Sequence, residues 1–289
     1  MIPLPTALLI AASLGLAAML LYLYLLAPGR VRDGGEAIQR QGIEELTRWH
    51  YAHRGLHSVD RSVPENSLAA FVAARDGGYG MELDLNLTRD GQVVVFHDDT
   101  LERVCGVSGR VVDQTLAELR ELRLHGTGER IPTLREVLEE ISGSVPLIVE
   151  LKDTPRHREL CRAAATILDG YSGPYCIESF HPAIVRWFRK HRPAVIRGQL
   201  SAGHREFPDQ SPPVRFLLSS LLTNGATRPH FVAYRHQDAR RAGGSVPRLR
   251  LRLFRALGGF LVTWTVTAED DRKWCLEHFD TIIFEYFLP

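Results

Sequence analysis

The sequence predicts an α/β protein with a parallel sheet, open or closed, that follows an apolar N-terminal segment. Nine apolar, strand-like runs lie in the region 49–289, and helical patterns separate most of them. This alternation is typical of parallel sheets with helices on their faces. The 289 residues suffice for one large domain or two small ones. The 35 Lys and Arg balance 34 Asp and Glu, which does not favour a nucleic-acid partner. The runs are the segment before His53 and residues 79–85, 92–96, 145–151, 174–179, 195–200, 230–234, 260–266 and 281–284.

The N-terminal segment is long enough to cross a membrane. Residues 6–27 contain no charged side chain, and 22 residues of helix at ~1.5 Å each span ~33 Å, the thickness of a bilayer core. A cleaved signal peptide is the alternative, but it would have a positive start and a shorter apolar stretch. We therefore predict three regions: a transmembrane anchor (1–28), a polar connector with a short helix (29–48) and a soluble α/β domain (49–289).

Charges near the anchor predict its orientation. No Lys or Arg precedes the span, whereas Arg30, Arg32 and Arg40 follow it. Positive charge favours the cytoplasmic side. We therefore expect a single-pass protein of the cell membrane whose C-terminal domain lies in the cytoplasm.

Local motifs predict where several helices begin and end. Capping-box residues at a helix start, proline in the first turn and glycine just after the last turn are the relevant signals. Asn66 is a strong helix cap by type. The motifs are Thr115/Glu118, Thr133/Glu136 and Thr267/Asp270 as capping boxes, Pro182 as a first-turn proline, and Gly77-Gly78 as a stop.

One interval departs from the alternation of strands and helices. Residues 82–97 hold two strand-like runs joined by a turn that contains Asp90-Gly91. Asp-Gly between apolar runs indicates a hairpin. A local hairpin would reconcile nine runs with a sheet of eight parallel strands.

A basic stretch at 248–255 has two interpretations. Four arginines alternate there with Leu and Phe, and an apolar patch lies nearby at 216–218. A basic amphipathic segment can contact anionic lipid. The simpler interpretation, a helix with one solvated face, is the favoured one.

Two histidines follow strand-like runs and suit acid–base chemistry. His53 and His97 are 44 positions apart, and histidine is the side chain whose proton moves near neutral pH. Strand ends in an α/β sheet direct side chains into one shared mouth. One histidine could deprotonate a nucleophile while the other protonates a leaving alkoxide.

Acidic residues on two further runs predict a metal site. Glu82 and Asp84 are two positions apart, so they share one face of a strand, and Glu150 ends another run. Carboxylate ligands favour Mg²⁺ or Ca²⁺. Arg54 and Lys152 are the candidate phosphate ligands. Together these groups fit metal-assisted cleavage of a phosphodiester.

Each site residue also has a structural interpretation. Glu65 and Asn66 are candidate pocket residues, but Asn66 could simply start the helix that follows it. Glu150 and Lys152 could form a plain ion pair inside the barrel. Several charged groups at consecutive strand ends are hard to explain by stability alone.

The ordered motifs of this chain resemble the glycerophosphodiester phosphodiesterases, in particular their bacterial membrane-anchored members. The resemblance runs from about Tyr51 to Pro289. One departure is Phe284-Glu285, where many relatives have Thr-Asp at the last strand. The motifs are His53-Arg54-Gly55, Pro64-Glu65-Asn66-Ser67, Glu82-Leu83-Asp84, Thr88-Arg89-Asp90-Gly91, His97-Asp98, Ile131-Pro132-Thr133-Leu134, Glu150-Leu151-Lys152, Ser179-Phe180 and Trp264-Thr265-Val266.

The resemblance implies a (β/α)8 TIM-type barrel of the phospholipase C-like phosphodiesterase kind, with a small insertion at about 98–131. It implies one divalent ion on the motif acids and His53 and His97 as the acid–base pair. It also implies attack by a neighbouring hydroxyl of the substrate and a cyclic phosphate intermediate. The expected substrate is a glycerophosphodiester, cleaved to an alcohol and glycerol 3-phosphate. The alternatives are a lysophospholipase D or another headgroup phosphodiesterase of this fold, and a non-catalytic membrane-tethered binding protein.

Overall fold

The protein is a closed barrel of eight parallel strands with helices around it, preceded by one long apolar helix. The computed structural model describes residues 3–29, 36–241 and 245–289, with side chains in the connector described from residue 42. The charges that predict sidedness are therefore not described: Arg30 and Arg32 lie outside these residues, and so does the side chain of Arg40. The strands are β1 (Tyr51–Ala52), β2 (Gly80–Leu87), β3 (Val93–Val95), β4 (Leu147–Leu151), β5 (Tyr175–Ser179), β6 (Ile196–Ser201), β7 (Phe231–Arg235), β8 (Phe260–Val266) and β9 (Thr281–Phe284).

Helices connect successive strands, except that a turn joins β2 to β3. Three 3₁₀ turns, at Val111–Asp113, Leu124–Gly126 and His204–Glu206, add to them. The α-helices are α1 (Leu4–Leu26), α2 (Glu36–Thr47), α3 (Leu68–Asp76), α4 (Glu102–Cys105), α5 (Leu116–Arg120), α6 (Leu134–Ile141), α7 (His157–Leu168), α8 (Pro182–His191), α9 (Pro212–Ser219), α10 (Asn224–Thr227), α11 (His236–Arg240), α12 (Ser245–Ala256) and α13 (Glu269–His278).

The sheet closes because β1 pairs with both β2 and β9. Around the barrel the strand order is β1-β2-β4-β5-β6-β7-β8-β9, and every pairing in it is parallel. Strand β3 pairs antiparallel with β2 outside this ring. The predicted hairpin is thus confirmed, and it reconciles nine strands with an eight-stranded barrel.

Alternation along each strand separates two cores. On β2 and β4, Leu83, Leu85 and Val149 face the helices in the larger apolar cluster. On the same strands Glu82, Asp84 and Glu150 occupy the alternate positions and point into the barrel. The inner cluster, which includes Tyr51, Ile148, Cys176 and Phe231, fills the barrel. Acidic side chains therefore sit on top of an apolar barrel interior.

The segment between β3 and α6, where an insertion is predicted at about 98–131, has a small core of its own. Between β3 and α6 lie α4, α5 and two 3₁₀ turns. Their apolar side chains, among them Val104, Leu119 and Leu124, form a separate buried cluster with Phe96. Phe96 lies next to His97, so the insertion packs directly behind that histidine.

Most predicted helix boundaries agree with the structure, and two are wrong. Thr115 and Thr133 form complete capping boxes, Pro182 begins α8 and Gly77 follows α3. The cap of α3 is Ser67, whose side chain accepts from the Ala70 N–H; it is not Asn66. At α13 the cap position is Ala268, with no side-chain bond, so the predicted Thr267 capping box is absent there.

Helix α1 is 23 residues long with a mean hydropathy of 2.2 over its most apolar window. By length and composition it can cross a membrane, and a signal sequence would pass the same test. It carries no Asp, Glu, Lys or Arg.

Candidate active site

Three carboxylates meet at the carboxyl-terminal mouth of the barrel. Glu82 and Asp84 come from β2, and Glu150 on β4 is the direct register partner of Asp84. Each offers an oxygen, and these oxygens all lie within 4.8 Å of one another. All three side chains are buried. Parallel strands in register thus bring together the residues that sequence spacing predicted as metal ligands.

Burial and crowding disturb the ionisation of this acidic cluster. Burial raises the pKa of Glu82, and the neighbouring Asp84 and Glu150 raise it further. The pKa of Glu150 is also raised, mainly by burial. Burial opposes the ionisation of Asp84 too, but Lys152 and His97 lower its pKa below the usual range. Buried acids held together in this way need protons or a cation, and oxygen-only ligands fit a hard divalent ion.

A fourth acid, Glu178, stands beside the three and was not predicted. It lies on β5 in register with Glu150 and is 1% exposed. Burial, then Glu150 and Asp84, raise its pKa well above the usual range, and its Oε2 atom has no hydrogen-bond partner among the described residues. The sequence signal was a single glutamate in the apolar run Cys176-Ile177-Glu178.

Two cations lie within reach of the acidic cluster. The Lys152 Nζ atom is 3.0 Å from Glu150 and 3.4 Å from Asp84. The Arg54 backbone N–H donates to Glu82 at 3.0 Å, and its Nε lies 3.5 Å from Asp84. Arg54 has a φ of 54°, in the left-handed region, and in this conformation its backbone N–H meets Glu82 while its side chain meets Asp84.

Glu65 and Asn66 contact two of the charged residues just described, Arg54 and Asp84. The Glu65 carboxylate accepts a 2.7 Å bond from Arg54. Asn66, with a φ of 53°, donates through Nδ2 to Asp84 at 2.8 Å. Asn66 therefore holds Asp84 in place, and Ser67 starts the helix.

His53 is held by a carboxylate from the opposite end of the barrel sequence. Its Nδ1 atom lies 2.9 Å from Glu285, which follows β9. The other Glu285 oxygen lies 3.3 Å from the Nε2 atom of His57. Burial lowers the pKa of His53, and the hydrogen bond to Glu285 opposes that shift. Burial alone would raise the pKa of Glu285, but the two histidines lower it.

His97 has a similar carboxylate partner. Its Nδ1 atom lies 2.6 Å from Asp98, the next residue. Arg103 of α4 donates to both Asp98 oxygens, at 2.7 and 3.0 Å, and to both oxygens of Glu65 at 2.8 and 2.6 Å. Arg103 thus ties the insertion to the groups behind both His97 and Arg54. Burial would raise the pKa of Glu65, but Arg103 and Arg54 lower it to about 2. Burial would likewise raise the pKa of Asp98, but His97 and Arg103 lower it.

These groups share one cavity with an apolar wall. The cavity measures about 110 Å³. Phe180 and Trp264 pack edge to face at 5.5 Å on one side, and Phe207 adds a second contact with Phe180. The lining consists of His53, Arg54, Glu82, His97, Glu150, Lys152, Glu178, Phe180, Leu200, Trp264, Thr265 and Ile283.

The family comparison covers nearly the whole barrel. The model of the glycerophosphoryl diester phosphodiesterase family matches residues 53–284. A Bacillus subtilis protein, YhdW, described as a candidate glycerophosphodiester phosphodiesterase, is 36% identical over 153 residues, covering 50% of this chain and 62% of that protein. The glycerophosphodiester phosphodiesterase of Caldanaerobacter subterraneus is 44% identical over 109 residues, covering 35% and 44% of the two chains. The aligned part is thus less than two thirds of either relative.

Solved structures share the fold over most of their length. A glycerophosphodiester phosphodiesterase from Thermotoga maritima superposes with a TM-score of 0.64 at 26% identity, covering 81% of this chain and 92% of that one. An Oleispira antarctica phosphodiesterase, solved with its product sn-glycerol-3-phosphate, gives a TM-score of 0.67 at 24% identity, covering 83% and 94%.

Proposed function

The chain belongs to the glycerophosphoryl diester phosphodiesterase family, whose model matches most of its barrel, and from that premise we propose that it hydrolyses glycerophosphodiesters to an alcohol and glycerol 3-phosphate. The observation that carries this proposal is the arrangement at the barrel mouth. Two histidines with carboxylate partners, four buried acids and two cations line or support one cavity. A solved relative of this fold is in complex with glycerol 3-phosphate, which is the product proposed here.

His53 is the better candidate for the first base. Burial lowers its pKa, so the ring is unprotonated at neutral pH and can accept a proton. Glu285 fixes the ring through Nδ1, which leaves Nε2 to act, and it stabilises the imidazolium that forms. Glu285 is therefore a positioning residue in this proposal.

His97 is the matching acid. Asp98 holds it through Nδ1 at 2.6 Å, so Nε2 is again the free atom. The substrate hydroxyl beside the phosphate loses its proton to His53, and its oxygen attacks phosphorus. The bond from phosphorus to the leaving alcohol breaks as His97 donates its proton. Water then opens the cyclic phosphate with the two histidines in exchanged roles.

Glu82, Asp84 and Glu150 are the proposed ligands of one divalent ion, Mg²⁺ or Ca²⁺. When bound, such an ion neutralises charge that develops on the phosphoryl oxygens. Arg54 and Lys152, which already contact these carboxylates, bind the phosphate oxygens on the same side. Glu178 adds a fourth negative charge at the site.

The activity is tested directly on the purified full chain. Glycerophosphocholine and lysophosphatidylcholine are incubated with Mg²⁺ or Ca²⁺, and released choline, glycerol 3-phosphate and lysophosphatidate are measured. We expect cation-dependent release of choline and glycerol 3-phosphate from the first substrate. Release of lysophosphatidate alone would instead favour the lysophospholipase D alternative. No turnover on either substrate would favour a non-catalytic binding protein.

Helix α1 is the proposed single-pass anchor, and the barrel is proposed to lie in the cytoplasm. The last turn of α1 packs on the barrel, where Leu26 is fully buried, so cleavage of this segment from the chain would expose an apolar surface. A topology reporter fused after Pro289 should therefore give the signal of a cytoplasmic C-terminus. The intact mass of the membrane-extracted chain should include residues 1–28, and a shorter mass would indicate a cleaved signal peptide.

A further inference from the structure

The end of helix α1 is fixed to the barrel. Leu26 is buried in one cluster with Leu221, Leu251 and Phe254. The Asn224 side chain donates to the Leu26 carbonyl at 3.4 Å. The last turn of α1 therefore belongs to the same apolar core as the helices around β7.

Arg228 completes this attachment. Its Nη1 atom donates to the carbonyls of Tyr24 and Ala27, at 2.6 and 3.0 Å, and its guanidinium lies 4.2 Å from the centre of the Tyr24 ring. Carbonyls at a helix end lack partners within the helix, and a cation there is favourable. The barrel consequently has one orientation relative to the last turn of α1.

The two helices beside this junction expose apolar side chains. On α9, Val214, Phe216 and Leu217 are 37, 56 and 44% exposed. On α12, Val246 and Leu249 are 52 and 58% exposed. We call these five side chains, with the arginines of the same helices, the α9–α12 surface. A hydrogen bond from Arg250 to the Ser219 carbonyl joins the two helices at 3.3 Å.

The charge of this surface has one sign. Helices α9 and α12 together contain five arginines and no Asp or Glu. Within the described part of the chain, only Arg255 of these five lies within 4 Å of a carboxylate, that of Asp280. Arg248 donates instead to the Ala239 carbonyl, and exposed Arg252 borders a cleft between α12 and α13. Arginine beside exposed Leu and Phe is the pattern of segments that lie in an anionic membrane interface.

We propose that the α9–α12 surface rests in the anionic headgroup layer of the same membrane that α1 spans. The inference rests on the proposed anchor and adds a second contact to it. The surface is continuous with the α1 junction, and its charge complements anionic lipid. The bilayer therefore contacts the β7 side of the barrel, and the opposite side, at β2 and α6, faces water.

The test measures the depth of single labels in the full chain reconstituted in nanodiscs. Cys105 is the one partly exposed cysteine of four, the others being buried, so Cys105→Ser provides the background. An environment-sensitive fluorophore is attached at Leu217→Cys or Leu249→Cys on the surface. The matched control is Glu139→Cys, an exposed position of α6 on the far side of the barrel. Leu14→Cys in the middle of α1 reports the anchor.

We expect lipid-borne quenchers to reduce emission at Leu217 and Leu249 but not at Glu139, and more strongly in discs with anionic lipid than in purely zwitterionic ones. Quenching at Leu14 alone would overturn the surface contact and leave the anchor intact. Equal quenching at all labelled barrel positions would also overturn the surface contact. So would energy transfer between labels on two copies of the chain in one disc. Absence of quenching at Leu14 would overturn both the surface contact and the proposed membrane anchor. Hydrolysis of glycerophosphocholine by the same samples reports the enzyme separately.

Discussion

Replacing Glu285 by glutamine directly tests the proposed role of this carboxylate in positioning His53. The carboxylate lies 2.9 Å from His53 and 3.3 Å from His57, and the side chains of His53 and Glu285 are 18 and 14% exposed. Glutamine keeps the size of the group and removes its charge. The change should leave the cavity intact while the imidazolium of His53 loses its partner.

The expected loss follows from the strength of one charged hydrogen bond. Such a bond contributes about 1.5–3 kcal/mol, and 1.36 kcal/mol is a factor of ten in rate, so kcat/KM should fall by ~10–10²-fold. The pKa of His53 should also fall, because the Glu285 hydrogen bond is what opposes the effect of burial. The same free energy corresponds to about 1–2 pH units. The acid limb of the pH profile should therefore move to lower pH.

The assay is kcat/KM for glycerophosphocholine as a function of pH, with thermal unfolding measured alongside. Glu285→Asp retains the charge and should keep much of the activity. Glu139→Gln removes an exposed carboxylate far from the site and should change nothing. A Glu285→Gln protein with the wild-type rate and the wild-type acid limb would refute the positioning role.

Further predictions concern the histidines, the ion and the unpredicted acid. His53→Ala and His97→Ala should each lower turnover by ~10²-fold or more with little change in Tm, as loss of acid–base catalysis requires; an unchanged rate would show that other groups carry the protons. Chelation should abolish turnover, and Mg²⁺ or Ca²⁺ should restore it. An ion at 100 times its Kd should raise the free energy of unfolding by about 2.7 kcal/mol and so raise Tm. The Glu82→Gln protein should lack this rise in Tm; a rise equal to that of the wild type would mean that the ion binds elsewhere. For the ion-free chain, Glu178→Gln should raise Tm at pH 8 more than at pH 4. The raised pKa of Glu178 means that its protonated form is favoured in the fold, so stability falls as pH rises above the unfolded value. A pH-independent effect of the substitution would contradict this.

The alternation of strands and helices and the face shared by two of the acids could be predicted because their signals are local, whereas closure of the sheet into a barrel was implied only by the family resemblance. Glu82 and Asp84 share a strand face by spacing alone, and the Asp-Gly turn indicates the hairpin that delivers His97. Parallel register then brings Glu150 beside Asp84. The hydrogen bonds of the site cannot be predicted from sequence spacing alone, because they depend on which distant strands become neighbours.

Asn66 and Glu178 show where this local reasoning ends. Asn66 and Ser67 are both good helix caps, and sequence alone does not separate them. The left-handed backbone of Asn66 directs its amide to Asp84, so Ser67 is left to cap the helix. Glu178 carries no motif, and its position among the other acids follows only from the pairing of β4 with β5.

The partnership of His53 with Glu285 also sets when the site can form during synthesis. The two residues are 232 positions apart. At ~5–20 residues per second, a ribosome needs ~10–50 s to pass from one to the other. During that interval β2 is the one barrel neighbour that β1 can acquire, and His53 lacks the Glu285 carboxylate that holds it. The nascent barrel therefore stays open along the β1–β9 seam, with α1 already made, and catalytic competence appears only when the seam closes.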